Sequence, residues 1–130
     1  MAFVVLLNHG WDTRVGCAQG TDPFQEVIPR AKAFLSDRPK SRYRLEVEFA
    51  LAQALETWWS VGQASVQDSY ADRTLYVKGS AGMREEAILH YEEVIRIAPQ
   101  SYEADYARQQ LPRLKLGLDT NQRRFFCIYD

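Results

Sequence analysis

The sequence predicts an all-α chain, an array of antiparallel helix hairpins, and three observations carry that prediction. From Gly82 to Leu111 apolar residues recur at helical spacing on both sides of a tight turn. Ala87, Ile88, Tyr91, Val94, Ile95 and Ile97 fall close to i, i+3, i+4, i+7, i+8, the stripe of an amphipathic helix. Second, a Pro-x-Ser turn stands at Pro39–Ser41 and again at Pro99–Ser101, each where a periodic run stops. Third, the two halves align at an offset of sixty residues. Glu26 pairs with Glu86, Ile28 with Ile88, Pro39 with Pro99, Ser41 with Ser101 and Leu51 with Leu111.

Residues 2–15 concentrate Phe3, Val4, Val5, Leu6, Leu7 and Trp11. Their β-branched members favour a strand, but in a hairpin array this is the first helix, and helix is the expectation. Because it reads as a helix entered partway, the chain is expected to be the end of a longer protein. A loop rich in Gly and Thr follows, and Asp22-Pro23 reads as an N-cap with proline in the first helical position. The helix from Pro23 to Asp37 buries Val27, Ile28, Ala31, Phe34 and Leu35, with Pro29 kinking it or delaying its start.

The longest helix runs from Arg42 to about Val61. Leu45, Phe49, Ala52, Leu55 and Trp59 form one stripe, with Ala50, Ala54 and Trp58 beside it. Trp58-Trp59 reads as core rather than as a cofactor pocket, because aromatics at helical spacing usually pack inward. Residues 63–81 then form a long insertion, and loops above ~12–15 residues are uncommon in compact domains and often functional. It is expected to pack on its own Tyr70, Leu75 and Tyr76 or to bind a partner, and Thr74–Val77 reads as a short strand or docked segment.

Ser80 is expected to cap the next helix, with Glu85 and Glu86 in the first turn, where the helix dipole favours negative charge. Pro99 ends it, Ser101 caps its successor, and Glu103 and Asp105 occupy that first turn. The apolar positions there are Tyr102, Ala104, Tyr106, Ala107 and Leu111; Pro112 disturbs the helix, and Gly117 suits a C-cap. Asp119 or Thr120 is expected to cap a short final helix through Arg124. The apolar run Phe125–Tyr129 is expected to fold back over the end of the last helix pair as a cap at about 118–130.

Composition sets bounds. At 130 residues, 46% apolar and 25% charged, the chain is one domain with enough apolar side chain for a core. A net charge of −1 gives no general attraction to nucleic acid or anionic membranes. No apolar run is long enough to span a bilayer, and the apolar start lacks the basic region and cleavage site of a signal peptide. Cys17 and Cys127 read as separate thiols, since spacing alone does not place them together.

Gly82, Ala87, Tyr91, Val94, Ile97 and Pro99, followed by Leu111, match a tetratricopeptide repeat boundary without gaps. In that pattern they are the turn glycine, the small residue at the helix crossing, the aromatic, two core positions and the closing proline. The resemblance covers roughly 24–62 and 80–116. Sixty residues exceed the usual ~34-residue period, and the surplus falls in the insertion. The long Pro-to-Leu spacing resembles the repeats of bacterial envelope proteins such as outer-membrane assembly lipoproteins. The resemblance implies a superhelical, non-catalytic scaffold, binding a peptide or protein segment on the concave side lined by 42–61 and 102–111. It also implies a place in the bacterial envelope. Partner contacts are expected from Arg44, Glu48, Arg108 and Gln109, taken as pointing away from the core, and from Tyr70 and Tyr76 in the insertion. The alternatives are an accessory or docking domain of a larger enzyme, or a self-associating homo-oligomeric module using the FFCIY tail.

Catalytic and cofactor chemistry finds little support. A nucleophile pair of Cys17 with His9 or His90 lacks any surrounding signature. His9 with Asp12 lacks the spacing of a zinc motif, so no metal or cofactor is expected. Gly79–Arg84 before a helix suits an anion but lacks the P-loop lysine. Glu85/Glu86 and Glu92/Glu93 read as a solvated face. The basic residues Arg108, Arg113, Lys115, Arg123 and Arg124 are interleaved with acidic ones and carry no RNA-binding motif, so nucleic acid is not an expected partner.

Overall fold

The computed structural model describes residues 3, 4, 7, 22–67, 77 and 79–126. Among them there are four long helices and no strand: α1 (Phe24–Asp37), α2 (Arg44–Gln67), α3 (Met83–Ile97) and α4 (Tyr102–Lys115). α2 packs against both α1 and α3, and α3 packs against α4. No described helix is long and apolar enough to cross a membrane.

α2 is the pole of the bundle. Val47, Leu51, Ala52, Ala54 and Leu55 are fully enclosed, and so are three of its polar residues, Glu56, Thr57 and Ser60. An amphipathic surface helix hides one stripe; this one is covered nearly all round. The small side chains at Ala50, Ala52 and Ala54 let neighbouring helices close on it. It also runs further than expected: Gln63–Gln67 continue the helix, so the insertion does not begin at 63. At its other end it starts at Arg44 rather than Arg42, after a turn in which the Ser41 hydroxyl accepts from the Tyr43 N–H.

Local chemistry explains most boundaries. Pro23 has helical dihedrals at the head of α1, and Gln25 Oε1 reaches back to the Asp22 N–H, half of a capping box. α1 is assigned unbroken through Pro29, which removes only the bond its N–H would have made to the Gln25 carbonyl. α4 likewise runs through Pro112 to Lys115. The Ser101 hydroxyl accepts from Ala104 N–H at 3.1 Å, the expected cap. Gly117, at φ 73°, donates to Leu114 O while Leu118 donates to Arg113 O, the paired bonds of a Schellman stop.

Several expectations are corrected. Ser80 does not cap α3 through its side chain; its hydroxyl donates to Val77 O, and Gly82, at φ 82°, heads the helix. Val77 and Gly79 are helical; Thr74–Tyr76 lie outside the described residues. No helix forms from Asp119 to Arg124, and the Asp119 carboxylate instead accepts from the Asn121 N–H and the Ser60 hydroxyl. The described part of the C-terminal segment, to Phe126, folds back mainly onto α1 and α2, with Gln122 also bonded to the Tyr106 hydroxyl of α4; Cys127–Tyr129 lie outside the described residues. Phe125 is buried with its carbonyl bonded to the Phe24 N–H at 2.9 Å, and Phe126 stacks on the Phe24 ring. Phe3, Val4 and Leu7 are helical and buried, with Phe3 beside Phe34. The Cys17 and Cys127 thiols and the pair His9 and Asp12 lie outside the described residues.

Trp59 is core, as expected, whereas Trp58 is half-buried between the Phe24 ring at 5.2 Å and the backbone of Gly79. A β-carbon on Gly79 would sit 2.2 Å from the indole Cζ2, so glycine is required by close approach. Gly79→Ala is expected to destabilise the chain by about 1–3 kcal/mol, the usual penalty for overpacking. Chemical denaturation with unchanged slope checks this.

Candidate functional site

Two clefts open on either side of α2, and a buried polar cluster lies between α2, α3 and α4. The cluster is built on Glu56. Its Oε1 accepts from the Tyr91 hydroxyl at 2.5 Å and its Oε2 from the Gln110 amide at 2.6 Å. One carboxylate thus joins three helices. Burial raises its pKa above the usual 4.5, while hydrogen bonds from Thr120, Tyr91, Gln110 and Gln122 work in the opposite direction. Burial, followed by the nearby Glu56 charge, pushes the Tyr91 phenol well above its usual 10.0 and raises Tyr106 as well. Glu56, Tyr91 and Gln110 are consumed by one another, so the cluster has the form of a structural clasp.

The first cleft, about 310 Å³, lies between α2 and α4. Glu46, Phe49, Ala50 and Gln53, at i, i+3, i+4, i+7, give one face of α2; Tyr102, Glu103 and Tyr106 give one face of α4. Leu7 and Arg124 close the rim. The rings meet edge to face, Phe49–Tyr102 at 6.0 Å and Phe49–Tyr106 at 5.5 Å. Tyr102 is 71% exposed and Phe49 half-buried, so neither is a core residue in the expected sense. Arg124 lies over the Phe125 ring and donates to Leu7 O at 3.4 Å.

The second cleft, about 300 Å³, lies between α1, α2 and α3 and is lined in part by Lys32, Ser36, Arg44, Glu48 and His90. Glu48 Oε2 meets His90 Nδ1 at 2.6 Å, and Arg44 pairs with Glu93 at 2.6 Å. A carboxylate on one imidazole nitrogen is half of a general-base arrangement. Ser36 makes no hydrogen bond to His90, so no nucleophile completes it among the described residues. Glu86 pairs with Lys32 at 2.8 Å, so Glu86 and Glu93 tether α3 to α1 and α2 rather than forming a merely solvated face. Arg96 also grips Glu93 and holds its pKa low, with Arg44 adding to the effect.

No protein-family model, characterised protein or solved structure matches this chain.

The residues expected to contact a partner divide. Arg44 and Glu48 sit together in the second cleft, and Glu48 is buried rather than pointing away from the core. Arg108 and Gln109 are exposed on α4 outside both clefts, Arg108 being held by Asp105 and the Pro99 carbonyl. Tyr70 and Tyr76 lie outside the described residues. Glu56, Gln110, Glu46 and Phe49 were not expected at a site. A signal for the first two is in the spacing: Glu56 stands four residues after Ala52 and three before Trp59, and Gln110 three after Ala107 and four before Leu114. A polar residue on an apolar stripe is a buried polar residue in waiting.

Proposed function

We propose that the chain is a non-catalytic protein–protein interaction scaffold that holds a peptide or protein segment in the cleft between α2 and α4. One observation carries this reading. Exposed and half-buried aromatics, Tyr102, Tyr106 and Phe49, line an open cleft together with the carboxylates of Glu46 and Glu103. Tyrosine and phenylalanine supply much of the energy of protein recognition, through large rigid contact area with a polar tip. The cleft also falls between the two helices that the tetratricopeptide resemblance assigns to the concave side. That resemblance supports, in addition, a superhelical relation between the hairpins and a role in bacterial envelope assembly.

The test is selection of segments from a random displayed peptide library against the full chain, followed by titration against Tyr102→Ala. Tyr102 is largely exposed, so the substitution spares the fold. Selected segments are expected to bind at least tenfold more weakly to the variant. Segments that ignore Tyr102→Ala, or a selection that returns none, would contradict this reading.

A further inference from the structure

The α2–α4 cleft has a charge pattern that narrows its occupant. Glu46 and Glu103 both line it, each in the first turn of its helix, and neither forms an ion pair among the described residues. The helix dipole tolerates a carboxylate there, but it does not satisfy the oxygen. Glu46 Oε2 is enclosed and has no hydrogen-bond partner. An enclosed carboxylate oxygen without a donor is uncommon in a folded protein and calls for an explanation. Arg124, the one cation among the described lining residues, is turned to the Phe125 ring and Leu7 O and bonds to neither glutamate.

The rings beside these carboxylates point the same way. Tyr102 and Tyr106 both stand nearly perpendicular to Phe49, at 82° and 87°. Phe49, Tyr102 and Tyr106 line the cleft beside the Glu46 and Glu103 carboxylates, a lining that suits an organic cation. The ring faces attract positive charge, and the carboxylates supply the counter-charge and hydrogen-bond acceptors. A lysine side chain fits on length and chemistry. Its methylenes lie along the aromatic walls and its ammonium pairs with the Glu46 and Glu103 carboxylates that line the cleft. We infer that the segment held in this cleft presents a lysine side chain, seated among Phe49, Tyr102 and Tyr106 and paired with Glu46 and Glu103.

This inference rests on the scaffold reading and deepens it. The probes are five acetylated, amidated peptides of one flanking sequence, with lysine, trimethyllysine, arginine, norleucine or glutamate at the centre. Each is titrated into the isotope-labelled full chain and followed by chemical-shift changes. The lysine peptide is expected to shift the Glu46, Phe49 and Tyr102 resonances. It is expected to bind at least tenfold more tightly than the norleucine or glutamate peptide, and to weaken about tenfold with Glu46→Gln and progressively with added salt. Glu46→Gln keeps the side-chain shape, and an unchanged circular dichroism spectrum shows that the fold survives. Norleucine or glutamate binding in the cleft as tightly as lysine would overturn the cationic assignment and leave the scaffold reading standing. Silence from all five would also overturn it. Library-selected segments that still map to the cleft would then preserve the scaffold reading, and selected segments that map elsewhere would end both.

Discussion

Replacing Glu56 by alanine is expected to destabilise the chain by about 3–5 kcal/mol, because it strands the Tyr91 hydroxyl and the Gln110 amide in the interior and opens a cavity. Glu56→Gln should cost about 1 kcal/mol or less, since an amide oxygen still accepts from Tyr91 and the Gln110 amide can turn to accept. The pair of variants separates the hydrogen-bonding role from the charge. The charge itself has a defined sign. Burial raises the folded pKa of Glu56 above the unfolded value near 4.5. The favourable contribution of its protonated form is therefore complete below 4.5 and is lost as pH rises through the folded value. Glu93 runs the other way: Arg96 lowers its pKa, so its contribution is present above 4.5 and lost as pH falls through the folded value. Stability of Glu56→Gln measured relative to the parent should accordingly rise with pH above 4.5. Urea denaturation across that range checks this; a difference that stays flat would show that folding does not raise the Glu56 pKa.

Phe24→Ala should cost about 3–5 kcal/mol, the range for truncating a buried phenylalanine. Phe24 is fully enclosed, and three contacts from two elements converge on it: Trp58 of α2, and from the C-terminal segment the Phe126 ring and the Phe125 carbonyl on its own N–H. The loss comes from contacts far apart in sequence, so it should appear also as coupling. In a double-mutant cycle Phe24→Ala with Phe126→Ala is expected to be non-additive by about 0.5–1.5 kcal/mol. Strict additivity would mean that the C-terminal segment does not rest on α1.

Each of these predictions depends on tertiary features that the sequence shows unevenly. The helices themselves are legible. Pro99 and Ser101 mark the α3–α4 turn, the Schellman glycine marks the end of α4, and the stripe through Ala87, Tyr91 and Val94 is the buried face of α3. Their signals are local, set by caps, missing donors and 3.6-residue periodicity. The role of α2 was less legible. A stripe through Leu45, Phe49 and Trp59 suggests one buried face, but this helix is enclosed by neighbours on several sides, and its buried polar residues find partners only in three dimensions. Ser60 illustrates the point: it bonds to Asp119 and Arg123, about sixty residues away. Ser80 shows the opposite failure, a serine in a capping position whose hydroxyl closes the preceding turn instead. The two prolines inside α1 and α4 are tolerated because each removes one backbone bond while the packed face of its helix stays intact.

The candidate site was legible in its helices and not in its residues. Charged side chains such as Arg44 and Glu48 invite a reading as contacts, yet they are engaged with Glu93 and His90. Phe49 and Tyr102 read as core from periodicity, yet they face a cleft, because α4 packs on α3 and leaves a gap towards the first half of α2. Periodicity reports which residues share a helix face; it does not report whether another helix covers it.

The scaffold account is tested most directly by mapping a library-selected segment onto the isotope-labelled full chain. The account predicts chemical-shift changes concentrated at Glu46, Phe49, Gln53, Tyr102 and Tyr106, with the second cleft around Glu48 and His90 unmoved. Changes centred on the second cleft, or spread over the surface without focus, would contradict it.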